Sequence, residues 1–169
     1  RSSDLGKELR TNYPDFKEVT MANNGEHIIA FNDTKITKQG MYVEPAFAKM
    51  FSLEMLNGVQ NGLEGGNAIM LSKSLAQALF DGADPIGKTV RIDNKINLAV
   101  TGVFQDFSKN SEFAEIEMLA PWAAYLSIDN QARASVDYWG NNDWQCYVQL
   151  NESASLSQVQ AKVKPLFYS

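Results

Sequence analysis

The chain has 169 residues, 44% of them hydrophobic, enough to bury a core as one domain or two small lobes and too many for a disordered segment. Its 15 basic and 20 acidic residues give a net charge of −5 without a cluster of Lys and Arg, which argues against nucleic acid as a partner. With Cys146 as the only cysteine, no internal disulfide or cysteine-based zinc site can form, and its place in WQCYVQL suits a structural thiol.

Leu5 and Leu9, with Tyr13, have the spacing of a short helix that Pro14 ends. Phe16 to Met21 and His27 to Phe31 then read as strands joined by a turn at Asn23, Asn24 and Gly25, residue types that tolerate positive φ. Lys35 to Val43 follows as a third strand, making a meander. His27, the sole histidine, has no neighbouring carboxylate motif, so it reads as a strand-edge side chain and not as a ligand or base. Pro45 suits a first helical position, with Phe47, Met50 and Phe51 on one apolar face. Asn57 to Asn67, rich in Gly and Asn, reads as a mobile loop.

Leu71, Leu75 and Leu79 recur at helical spacing, with Ser72 or Ser74 to cap the start and Gly82 to supply a left-handed stop. The period then changes to two. Val90 and Ile92 alternate with polar neighbours, as do Ile96, Leu98, Val100 and Phe104, which predicts a hairpin turning at Asn94 and Lys95. Between helix and hairpin, GADPIGKT (Gly82 to Thr89) satisfies the phosphate-loop pattern letter for letter. A phosphate loop, however, follows a strand and opens a helix so that backbone N–H groups converge on phosphate. Here the order is inverted, Pro85 removes a donor and Asp84 adds negative charge, so nucleotide binding is not expected.

Lys109 to Ser111 forms a polar turn, and Glu115 to Ala120 a strand with Ile116 and Met118 on one face. Glu112, Glu115 and Glu117 are acidic neighbours, but spacing by two puts Glu115 and Glu117 on a solvent face without making a metal site. Pro121 opens a helix through Leu126, and Ile128 to Asp143 is a long polar connection carrying Tyr138 and Trp139. Trp144 to Leu150 alternates as a half-buried strand. Ser155 and Gln158 make a capping box for a final helix with Leu156, Val159, Val163 and Leu166 on one face, its length limited by Pro165.

Four phrases in order carry a resemblance: YVEPAFAKMFSLEMLNG (Tyr42 to Gly58), LSKSLAQALF, DPIGKTV with NLAVTGVFQDF, and WGNNDWQCYVQL (Trp139 to Leu150). Together they are similar to the MacB-like extracytoplasmic core domain of FtsX-type ABC transporter permeases, over roughly Leu5 to Phe167. The resemblance implies an α+β fold of mixed and antiparallel sheets with packed short helices. The chain would be a single extracytoplasmic core domain over 1–169, open to division into two lobes, a βαβ-type outer lobe from 1–44 plus 121–169 and an inserted β-rich lobe from 45–120. No run of 18 apolar residues and no signal-peptide pattern occurs. The resemblance makes this the piece of a bacterial inner-membrane protein held in the periplasm between its first and second transmembrane helices.

Catalysis needs convergent groups, and one histidine without a G-x-S-x-G elbow offers no triad. An enzyme is therefore not expected, and no catalytic, cofactor-binding or metal residue is assigned. By resemblance, the expected partners are a cytoplasmic ABC ATPase reached through the transmembrane part, a second permease copy, and a periplasmic adaptor or cargo protein. The family's roles are export, lipoprotein release or control of cell-wall hydrolases. The two long polar connections supply the candidate contact residues: Asn61, Glu64, Asn67, Asp137, Tyr138 and Trp139. The alternative is a periplasmic sensor with a small ligand bound near Tyr138, Trp139 and Trp144.

Overall fold

The computed structural model describes residues 5–129 and 144–168. The eight strands among these residues share one sheet: β1 (Phe16–Phe31), β2 (Thr34–Val43), β3 (Met55–Gly58), β4 (Ala68–Ser72), β5 (Thr89–Ile92), β6 (Ile96–Phe104), β7 (Ile116–Pro121) and β8 (Gln145–Leu150). The order β2-β7-β4-β6-β5-β1 returns to β2 through the β1–β2 hairpin, so six strands close a ring. β8 pairs with the first half of β1, and β3 with the end of β6. The β2–β7 and β4–β6 pairs are parallel and the others antiparallel, which makes the sheet mixed as expected. The helices are short: α1 (Leu5–Asn12), α2 (Ala46–Met50), α3 (Lys73–Phe80), α4 (Trp122–Ile128) and α5 (Leu156–Tyr168). The segments 1–44 and 45–120 both contribute strands to this sheet.

Three local readings are corrected. The expected turn at Asn23 to Gly25 lies inside β1, where those residues face Tyr42, Met41 and Gly40 of β2. The reversal comes later, at Asn32 and Asp33, with Asn32 in the left-handed region at φ 50°. Tertiary packing selects this register: a Cβ on Gly40 would lie 2.2 Å from Met118 Cγ, so the bare backbone there is needed for the β7 side chain above it. Second, Leu71 belongs to strand β4 and not to the helix. All five residues of β4 are buried, Ile69 and Leu71 in one apolar cluster and Met70 in another, as a strand covered on both faces requires. Third, Pro165 does not end α5, which runs on to Tyr168.

Boundaries elsewhere move by a residue. Ser72 caps α3, its Oγ accepting from Leu75 N–H at 3.1 Å, and Asp81 joins Gly82 in the left-handed stop with φ 49° and 85°. The β5–β6 turn is at Asp93 and Asn94, φ 52° and 55°. Helix α3 packs against β1, β2, β4, β6 and β7, and its Leu75, Leu79 and Phe80 share one core with Ile29, Val90, Ile92, Leu98, Val100 and Met118. The second core lies under α2: Phe47, Leu53, Leu63, Met70, Phe104 and Phe113, with Phe51 and Tyr147 packed against it. Aromatic edge-to-face contacts tie this cluster together, Phe47 to Phe113 at 5.2 Å and Phe51 to Tyr147 at 5.4 Å between ring centres.

Candidate functional site

The expected mobile loop from Asn57 to Asn67 is a structured segment. Strand β3 pairs Asn57 with Val103 and Gly58 with Gly102, and a 3₁₀ turn follows over Gln60–Leu63. Leu63 is fully buried in the second core and anchors the turn. Three polar bonds hold the rest: Gln60 Nε2 donates to Leu53 O at 2.7 Å, Thr101 Oγ1 to Gly62 O at 3.0 Å, and Ala99 N–H to Asn67 O at 2.7 Å. Gly62 fits closely, since a Cβ there would be 2.9 Å from both Met70 Cε and Thr101 Oγ1. The sequence reads as mobile because its glycines are abundant, but two of them serve close backbone approach instead.

What this pinned segment displays is apolar as well as polar. Leu56 is 47% exposed and Val59 61%, and neither was among the residues expected to make contacts. Asn61, Glu64 and Asn67 are exposed beside them. Leu56 also lines a groove of about 240 Å³ with Ala76 and Gln77 of α3, Ala83, Pro85 and Val103. Leu56 and Val59, set among Asn and Gly residues, were the available signal for this surface, although Leu63 shares that setting and is buried. Asp137, Tyr138 and Trp139, the other expected contacts, lie outside the described residues.

His27 is not an isolated edge residue. Its Nδ1 lies 2.6 Å from Asp93 Oδ2, and since a carboxylate only accepts, Nδ1 carries the proton. Asp93 Oδ1 accepts from Ile28 N–H at 2.8 Å, so this carboxylate ties the β5–β6 turn to β1. The histidine ring meets Tyr42 edge to face at 5.3 Å. Among the described residues His27 Nε2 and Tyr42 Oη are buried without a hydrogen-bond partner. Burial, with the Asp93 charge second, pushes the Tyr42 phenol well above the ordinary tyrosine range. Burial and then the Glu112 charge also raise Tyr147.

Tyr42→Phe is expected to leave stability within about 1 kcal/mol of the parent or to raise it, because it removes a buried hydroxyl that has no partner. The pH dependence has a definite sign. A tyrosine whose folded pKa is raised keeps its proton in the native state while the unfolded chain ionises near pH ~10, so stability falls as pH rises beyond that. Urea midpoints at pH 8 and pH 10.5 should differ less in Tyr42→Phe than in the parent, with Tyr147 supplying a residual fall. An equal fall in both proteins would show that Tyr42 is not held protonated.

Glu117 pairs with Lys38 at 3.0 Å and accepts from Ser72 Oγ at 3.3 Å, while Glu112 and Glu115 are exposed, so the three glutamates are not brought together as ligands. The phosphate-loop pattern has the inverted context read from the sequence, running from α3 into β5. Its N–H donors point inward: Ile86 to Asp84 Oδ1, Gly87 to Val100 O, and Lys88 to Pro85 O, at 3.1, 2.8 and 3.1 Å. They are engaged in closing the turn and are not arrayed around an anion. No helix among the described residues is long and apolar enough to cross a membrane.

The fold is shared with solved structures. A domain assigned to a permease protein of Porphyromonas gingivalis matches with a TM-score of 0.77 and 23% identity, over 97% of this chain and 68% of that one. The periplasmic region of MacB from Actinobacillus actinomycetemcomitans matches at 0.71 and 16% identity, over 97% and 71%. The extracellular domain of the noncanonic ABC-type transporter YknZ from Gram-positive bacteria matches at 0.66 and 19%, over 95% and 77%. No curated protein matches the chain by sequence. The model of the MacB-like periplasmic core domain matches residues 1–166, nearly the whole chain, and the chain therefore belongs to that family, the extracytoplasmic core domain of ABC transporter permeases.

Proposed function

We propose that this domain receives ATP-driven movement from the membrane part of a permease and passes it to a partner or cargo protein outside the cytoplasm. The cytoplasmic ABC ATPase and a second permease copy would be coupled to it through the transmembrane part. Export, lipoprotein release and control of cell-wall hydrolases are all compatible with such a device. The observation that carries the reading is the pairing of exposure with rigidity at Leu56 and Val59: two apolar side chains on solvent, on a segment fastened to β6 and to the second core. A surface that transmits force must hold its shape, and exposed aliphatics on a rigid rim suit protein contact better than solvent. Asn61, Glu64 and Asn67 would form the polar margin of that contact.

The test is made in the full permease with its ATPase. Leu56→Arg with Val59→Arg should lower transport several-fold, while nucleotide hydrolysis persists and the melting temperature of the domain stays within a few degrees. Transport at the parental rate in this variant would place the working surface elsewhere.

A further inference from the structure

The register of four strands sets Lys35, Ala30, Arg91 and Asn97 in a single cross-strand row. Lys35 faces Ala30 across β2 and β1, Ala30 faces Arg91 across β1 and β5, and Arg91 faces Asn97 across β5 and β6. The smallest side chain of the row thus stands between two cations, and a groove of about 470 Å³ opens over it. Ile28, two residues along β1 and 47% exposed, adds an aliphatic wall, and Asn32 and Asn94 close the ends from the two turns.

Arg91 is held in place before any ligand arrives. Its Nε donates to Asn94 Oδ1 at 2.9 Å, Nη1 to Asn97 Oδ1 at 3.1 Å and Nη2 to Asn94 O at 3.1 Å. Three of the five guanidinium N–H groups are thereby engaged and two remain. Neither Arg91 nor Lys35 has a carboxylate partner among the described residues. Because both asparagine oxygens face the guanidinium, the amide NH₂ groups of Asn94 and Asn97 are donors as well. The one acid in the lining, Asp93, is tied to His27 and to Ile28 N–H. The lining is therefore rich in unengaged donors and carries a net positive charge on a chain of charge −5.

We propose that this groove binds the carboxylate end of a short peptide, its terminal oxygens on Arg91 and Lys35, its amides on the asparagine side chains, and an aliphatic side chain against Ile28. A fixed planar guanidinium matches a carboxylate in two-point fashion, and prior fixation lowers the ordering cost of binding. Amide donors beside an aliphatic wall favour a peptide over a bare inorganic anion. The groove's size is in the range of small-ligand sites. This site is separate from the Leu56 and Val59 surface and does not depend on the transmission reading.

The experiment is an NMR titration of the 169-residue chain with N-acetyl-dialanine, with its C-terminal amide, and with inorganic phosphate. Binding of the acid, with shifts centred on Ala30, Arg91 and Asn97, and at least tenfold weaker binding of the amide are expected. Arg91→Gln should weaken the acid about tenfold or more. Arg91→Lys should also weaken it, since the charge stays and the fork is lost. Lys35→Gln, which removes no side-chain hydrogen bond among the described residues, should weaken it several-fold without changing the melting temperature. Equal binding of acid and amide, phosphate binding tighter than the acid, no shifts up to tens of millimolar, or insensitivity to both Arg91→Gln and Lys35→Gln would each overturn the proposal.

Discussion

Leu75→Ala is expected to destabilise the domain by about 2 to 5 kcal/mol. Leu75 is fully buried, follows the cap that Ser72 provides, and shares the first core with residues of β1, β4, β5, β6 and β7. Because the ring of strands is closed, those walls are held by hydrogen bonds on both sides and cannot collapse far into the space a lost isobutyl group leaves. The upper part of the range is therefore the expected one. Leu156→Ala is the matching control, since Leu156 is 62% exposed and its loss should change stability by less than about 0.5 kcal/mol. Urea unfolding of both variants measures the difference. A loss below about 0.5 kcal/mol in Leu75→Ala would mean that α3 does not pack against the ring.

The second large effect is expected at Gly58. Its φ is +76°, and a Cβ there would lie 2.2 Å from Thr101 O and 2.8 Å from Gly102 Cα, both backbone atoms of the paired strand β6. An alanine adds the left-handed penalty of roughly 1–2 kcal/mol to an overlap that no rotamer change relieves, itself worth roughly 1–3 kcal/mol. Gly58→Ala should then cost about 2 to 5 kcal/mol in all, or free the β3 segment from β6. Either outcome removes the rigid support under Leu56 and Val59. Gly66→Ala, eight residues on, has nothing within 4 Å of its added carbon and should be close to neutral. Thermal unfolding, with hydrogen exchange at Asn57 and Gly58 to detect local release, separates the two glycines. Equal behaviour would show that β3 is not seated on β6 as described.

These two sites differ in how far they could be read in advance. Leu75 and Leu79 were legible because helical periodicity is a local signal, carried by residues three and four apart. The same holds for the hairpin from Val90 to Phe104, for Pro121 opening α4, and for the order of helix, turn and strand around the phosphate-loop match. Gly58 was not legible. Its glycine was counted as freedom in a loop, and only the approach of the Thr101 carbonyl, far along the chain, turns it into a steric requirement.

The sequence by itself determined the periodic elements, the acidic charge, the lack of a second histidine or cysteine, and through four ordered phrases the family. Tertiary structure alone decided the rest, because each remaining feature depends on a partner distant in the chain. Asn23, Asn24 and Gly25 have turn chemistry, yet pairing with Tyr42, Met41 and Gly40 keeps them in a strand. Leu71 shares the helical spacing of Leu75 and Leu79, yet burial of β4 on both faces makes it part of a strand. His27 finds Asp93 sixty-six positions away. Lys35, Ala30, Arg91 and Asn97 become one row only when β2, β1, β5 and β6 lie side by side. Local preferences of tenths to about 1 kcal/mol per residue yield to burial and ladder bonds that sum to more, and those sums are set by the closed ring.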